Sequence, residues 1–322
     1  MLRRISAAVL VSGVLIACSS SSRSGFDSSN GGNGGDNPGT GSLGNEPAPQ
    51  EESVECQKMD IVFIVDDSGS MGEEQTNLAS NFPKFVEILN DYKTKSGSDL
   101  DWRVAITTTG RDVTYNIVIP GSPGIPMTEK GDNGAFRNKA SCGAKRRWVE
   151  KSDGNATSTF SCLAEVGTAG PSVEMPLESL KLSLEDRMSD GTNKGFLRPD
   201  ALLAVVILTD EDDCSRSDNN FTVPVAATCS TTPGQKPVEE YADMLDTVTG
   251  DRKRWATAVI AGQSECTSSF GNAMEAVRLK DFVKLAGPNG AFSSICDGNL
   301  TTGLQKALAT FDAACKSFST VK

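Results

Sequence analysis

Histidine is absent from all 322 residues. Its absence excludes Ser-His-Asp and Cys-His catalysis, and any zinc site built on imidazole. A metal would have to be held by oxygen or thiolate, and no C-x-x-C pair exists to support thiolate. Positive charge is in short supply. Lys and Arg number 31 against 42 Asp and Glu, a net charge of −11. Nucleic acid needs a basic surface, so it is a poor partner, whereas an acidic surface suits divalent cations. Hydrophobic content is only 38%, diluted by Ser/Gly-rich segments. The apolar run Ala7 to Ile16 falls short of the roughly 20 residues that span a bilayer. No internal repeat is visible.

What is present begins with an export signal. Arg3 and Arg4 precede the short apolar run, which ends in Leu15-Ile16-Ala17-Cys18. This ending resembles a bacterial lipobox, in which the cysteine is lipidated and becomes the mature N-terminus. Among such lipoproteins, a Ser after the cysteine, here Ser19, favours the outer membrane of a diderm cell. The organisation expected is a signal peptide over 1–17, a lipidated Cys18 with a Ser/Gly-rich tether over 18–55, and a folded domain over 56–318. The tether has too little apolar content to build a core.

Nine cysteines less Cys18 leave eight, and an even number in an exported chain implies disulfides. Eight cysteines allow on the order of 100 pairings. We expect Cys142–Cys162, Cys214–Cys229 and Cys266–Cys296, because each pair flanks a polar or Gly/Pro-rich loop or a short helical hairpin. Cys56–Cys315 would then tie the ends of the domain together.

Apolar runs alternate with amphipathic ones. Strands are expected at 59–65, 101–107, 201–208, 255–261 and 291–295, with a short one at 115–119. Helices are expected after the first strand, with Leu78, Phe82, Phe85, Val86 and Leu89 on one face, and at 176–188, 237–248, 272–286 and 299–311. Pro83 should kink or break the first helix. Residues 108–170 read as long, irregular and stapled. Strands alternating with helices give an α/β fold, a doubly wound and mostly parallel central sheet flanked by helices.

The chemistry gathers where two strands end. Ile61 to Val65 is followed by Asp66-Asp67-Ser68-Gly69-Ser70, and Ala201 to Leu208 by Thr209-Asp210. Carboxyl ends of strands are where open α/β sheets bind ligands. One carboxylate and two hydroxyls at i, i+2 and i+4 are hard oxygen donors suited to Mg²⁺, Mn²⁺ or Ca²⁺. This D-x-S-x-S pattern resembles the metal-ion-dependent adhesion site of von Willebrand factor A domains. The resemblance covers roughly residues 56–318.

The resemblance implies a metal held by Asp66, Ser68, Ser70, a Thr from an intervening loop, and Asp210 acting through water. For the intervening ligand Thr168 fits by identity and Ser172 by its distance to the following helix; Thr168 is favoured. The resemblance further implies that a partner's carboxylate completes the metal shell, so the chain would bind a protein or acidic ligand and would not be an enzyme. Taken alone, D-D-S-G-S also reads as a strand-to-helix turn with Ser70 capping the helix. Glu211, Asp212 and Asp213 read as a solvated acidic turn in preference to a second cation site. A hydrolase using Asp66 as nucleophile would want a second carboxylate at i+2, where Ser68 stands. The remaining alternative is a structural envelope component that uses no metal.

Overall fold

The computed structural model describes residues 55–94, 96–224, 232–268, 271–297 and 300–319. The expected lipobox, the expected lipidation site Cys18, most of the expected tether and Cys229 lie outside them. Among the described residues no helix is long and apolar enough to cross a membrane.

Six strands form the central sheet. β1 (Lys58–Val65), β2 (Asp101–Thr108), β6 (Leu202–Leu208), β8 (Trp255–Ala261) and β11 (Gly290–Ser294) run parallel; β5 (Val149–Glu150) joins the edge antiparallel. Their spatial order is β11-β8-β6-β1-β2-β5. β6 and β8 are buried along their whole length and β1 along all but its first residue. Continuous burial explains why these segments read as unbroken apolar runs: helices cover both faces.

Alternate β1 residues face opposite layers. Ile61, Phe63 and Val65 pack with α1 (Gly72–Asp91), α2 (Ala156–Ala164) and α7 (Leu300–Lys316). Val62 and Ile64 pack with α3 (Pro176–Leu184), α5 (Val238–Thr249) and α6 (Val277–Leu285). Phe63 anchors the first layer, edge-on to Phe82, Phe85 and Phe160 with centroids 5.2–5.5 Å apart. The result is the doubly wound, mostly parallel α/β sheet expected from the sequence.

The departures have physical reasons. α1 runs as one 20-residue helix through Pro83. The burial of Phe82, Phe85, Val86 and Leu89 offsets the hydrogen bond that proline cannot make. The segment 108–170 is more ordered than expected. β3 (Val113–Val118) pairs antiparallel with β4 (Ile125–Glu129) and parallel with β7 (Asn220–Pro224), forming a separate three-stranded sheet. Its partner β7 lies about a hundred residues downstream, so no local pattern announces it. Expected helix 272–286 begins only at Val277, because Gly271–Ala273 forms β10 against β9 (Cys266–Ser268). Expected helix 176–188 divides into α3 and α4 (Asp186–Ser189).

Disulfides join Cys56 to Cys315, Cys142 to Cys162 and Cys266 to Cys296, as expected. Cys214 is also disulfide-bonded, and its expected partner Cys229 lies outside the described residues. Cys56–Cys315 clamps the start of the domain to the end of α7. In the chain-entropy model a closed loop the size of the shortest of these contributes about 3 kcal/mol.

Candidate metal centre

β1 sends its chain into α1 on one face of the sheet, and β6 sends its chain towards α5 on the other. The carboxyl ends of β1 and β6 are adjacent, because the two strands pair in register up to Val65 and Leu208. This is the point where the winding reverses, and it leaves a crevice at the rim of the sheet. Asp66 to Ser70 and Thr209-Asp210 lie there for that reason.

A chain of hydrogen bonds joins the two loops. The Ser68 amide donates to Asp66 Oδ1 at 2.8 Å, and the Ser68 and Ser70 hydroxyls lie 2.9 Å apart. Ser70 Oγ donates to Asp210 Oδ1 at 3.2 Å. Thr209 Oγ1 donates to Asp66 Oδ2 at 2.6 Å, and Gln75 Nε2 donates to the Asp66 carbonyl at 2.7 Å. Ser70 does not cap α1, whose N-cap position is Met71 and carries no side-chain cap. The hydroxyl is spent on Asp210 instead. Above the group opens a cavity of 360 Å³ lined by Gly69, Ser70, Gly72, Asp210, Gly271 and Asn272. Gly271 adopts φ +119°, and a Cβ there would strike the Glu74 carboxylate. Its lack of a side chain keeps that rim open.

The third loop behaves differently from expectation. Thr168 is exposed, and among the described residues no hydrogen bond joins it to Asp66, Ser68, Ser70 or Asp210. Ser172 is committed to the second sheet: its hydroxyl donates to Glu129 Oε1 at 2.7 Å and lies 3.1 Å from the Tyr115 hydroxyl. The loop does reach the rim at Gly170, whose amide donates to the Asp67 carbonyl at 2.7 Å. A Cβ on Gly170 would fall on the Asp67 carboxylate. The side chain that the third segment buries at the rim is Glu174, which sequence reasoning missed. It is 1% exposed, and neither of its carboxylate oxygens has a hydrogen-bond partner.

Electrostatics set this rim apart. Burial pushes Asp66 above the ordinary carboxylate range; its bonds from Thr209 and Ser68 pull the other way, and nearby Glu211 adds to the rise. Asp210 is pushed up to about 7 by burial and then by Asp66, against the Ser70 hydrogen bond. Glu174 is raised well above its usual value by burial, then by Asp66 and Glu211. Asp67 is pushed up to about 7 by burial, Asp132 and Asp66, with Arg137 opposing. Buried carboxylates that raise one another cost several kcal/mol to ionise unless a counter-charge arrives.

The oxygen-only donors and the deficit of positive charge fit a hard divalent cation. Asp66, Ser68, Ser70 and Asp210 would hold it, and it would supply the missing charge and an open coordination position. Among the described residues no group of three or more His, Cys, Asp or Glu side chains is placed to hold a metal ion. The hydroxyls are therefore essential to the donor set.

The neighbouring acids correct another expectation. Asp212 and Asp213 are 5% and 0% exposed, not a solvated turn. Asp212 accepts from the Arg278 and Leu279 amides at the start of α6. Asp213 accepts from the Leu177 amide at the start of α3 and pairs with Arg278 at 3.0 Å. Both cap helix N-termini, whose amides and dipoles favour a carboxylate.

No family model matches the chain, and no curated protein matches it. Several solved structures do. Proximal thread matrix protein 1 from the mussel byssus is 15% identical at a TM-score of 0.41, over 80% of this chain and 49% of that one. A second structure of it, with a zinc-occupied MIDAS motif, is 12% identical at a TM-score of 0.40, over 81% and 46%. The pilus adhesin SpaC from Lactobacillus rhamnosus GG, in its open conformation, is 11% identical at a TM-score of 0.40, over 83% and 30%. The chain spans less than half the length of each of these proteins. The fold stands on the strand order and helix placement given above, and the functional reading stands on the site.

Proposed function

We infer that this chain is a divalent-cation-dependent binding domain of the adhesion-site type, held on the cell envelope by a lipid on Cys18. The single observation that carries the reading is the joined group Ser68–Ser70–Asp210 over buried Asp66. It lies at the switch point of the sheet and opens into a cavity. Mg²⁺ fits the donor set, with Mn²⁺ or Ca²⁺ as substitutes. The protein's own groups orient the site: Thr209 and the Ser68 amide fix the Asp66 carboxylate, and Ser70 fixes Asp210. An acidic group on a protein partner would complete the shell, and no bond need break. The domain over 56–318, the tether over 18–55 and the removed signal over 1–17 form one design, in which the site is carried away from the membrane surface. Export and the Ser after Cys18 favour the outer membrane.

Titration calorimetry with Mg²⁺ tests the metal, comparing wild type with Asp66→Ala. The variant is expected to lose binding while its circular dichroism is unchanged; equal binding by both would remove the site. A pulldown from envelope extract with Mg²⁺ or with EDTA tests the partner. Capture of the same proteins in both would leave the adhesion reading without support.

A further inference from the structure

We propose that Glu174, and not Thr168 or Ser172, is the third-segment ligand of the cation, so that a buried carboxylate stands where the resemblance expects a hydroxyl. This deepens the metal reading above and rests on it.

Three observations on the main chain and side chain converge. First, Glu174 is pinned at the rim by its neighbours. Its carbonyl accepts from the Cys214 amide in the loop after β6 at 2.9 Å, and the Met175 amide donates to the Thr109 carbonyl just past β2 at 3.0 Å. The Thr109 hydroxyl in turn reaches Asp66 Oδ1 at 3.5 Å. Second, Glu174 is as buried as a core residue, yet both carboxylate oxygens lack donors. Third, burial raises its carboxyl first, and the charged groups that raise it further, Asp66 and Glu211, are themselves carboxylates.

Three buried carboxylates elsewhere among the described residues are answered by the protein. Asp60 is met by Arg198, Asp213 by Arg278, and Asp212 by helix amides. Neither oxygen of Glu174 has such a partner. An apolar residue would fill that space without the several kcal/mol that an unpaired buried carboxyl costs. The carboxylates of Asp66, Asp210 and Glu174 are not already grouped as a metal site, so a dication held by Asp66, Ser68, Ser70 and Asp210 would draw Glu174 into its shell and relieve the repulsion from Asp66 at the same time. Carboxylate in place of hydroxyl also adds a negative charge to the donor set and strengthens its hold on a dication.

The test uses Mn²⁺ calorimetry and thermal melting in EDTA on wild type, Glu174→Gln and Thr168→Ala. For Glu174→Gln we expect Mn²⁺ binding weakened about tenfold or more, with a melting temperature in EDTA at or above wild type, because an unpaired buried charge has gone. For Thr168→Ala we expect unchanged affinity. Glu174→Gln affinity within about twofold of wild type, or a loss of about tenfold in Thr168→Ala, overturns the assignment. Should Glu174→Gln fail to fold, Glu174→Asp, which keeps the charge and shortens its reach, is read by the same two affinity limits. A wild-type protein that binds no Mn²⁺ would sink the underlying metal reading instead, so the two failures are told apart by the wild-type titration.

Discussion

The two ends of β1 each bury acids, and they treat them in opposite ways. At the amino end Asp60 is 1% exposed and meets Arg198. The guanidinium Nε donates to Asp60 Oδ1 at 2.8 Å and the Arg198 amide to Oδ2 at 2.7 Å. Burial pushes Asp60 up to about 6, with Arg198 pulling against it. At the carboxyl end Asp66, Glu174 and Asp210 are equally buried, but hydroxyls and other carboxylates surround them. One end is closed by the protein's own cation. The other shows no Lys or Arg ion pair to Asp66, Glu174 or Asp210 among the described residues, and the proposed cation would supply the counter-charge. Burial by itself therefore says little about function; the identity of the counter-charge separates a structural acid from a binding one.

The comparison can be broken most severely at the closed end. Arg198→Ala leaves Asp60 buried without its partner and should cost about 3–5 kcal/mol in urea unfolding. A cost under about 1 kcal/mol would mean that solvent already serves Asp60. Asp60→Asn combined with Arg198→Ala should recover part of the loss, because the orphaned charge is gone.

At the open end the effect is set by mass action. Saturating Mg²⁺ at about a hundred times its dissociation constant should stabilise the domain by about 2.7 kcal/mol over the EDTA-treated form. Arg198→Ala should leave this increment unchanged, since the two ends do not share partners. An increment that vanished with Arg198 would show that the ends are coupled.

The smaller effect is in pH. Asp210 sits at about 7 in the folded chain against an ordinary 3.8. A raised folded value gives stability that is complete at pH below the unfolded value and is lost as pH rises through the folded one. The metal-free protein should therefore melt at lower temperature at pH 8 than at pH 5. Cation binding expels the same protons, so affinity should rise from pH 5 to about 7 and then level off. Asp210→Asn should make the metal-free melting profile shallower, with Asp67, also raised to about 7, keeping part of the slope; a profile unchanged by it would assign the titration elsewhere.

Much of this was legible along the chain. Ile61 to Val65 and Leu202 to Leu208 had to be buried strands, because only a sheet covered on both faces accepts such runs. Asp66, Ser68, Ser70 and Asp210 stood out because each follows such a strand directly, so the strand's own direction delivers them to the rim. Cys142 and Cys162 could be paired by their nearness in sequence, and Cys56 with Cys315 by elimination. Residues 108–170 were misread as irregular, because β3 finds its parallel partner β7 only through the fold. Asp212 and Asp213 were misread as solvated, because the amides of α3 and α6 that receive them come from distant segments.

The sequence by itself determined the alternation of strands and helices, the pairing of Cys56 with Cys315, Cys142 with Cys162 and Cys266 with Cys296, and the oxygen donors at two strand ends. These are matters of period, composition and adjacency, which a linear chain carries directly. Only the tertiary structure decided that Thr168 stays in solvent while Glu174 is buried without a donor. That outcome depends on which groups meet across the rim and which do not, and the absence of a partner has no signature in one dimension.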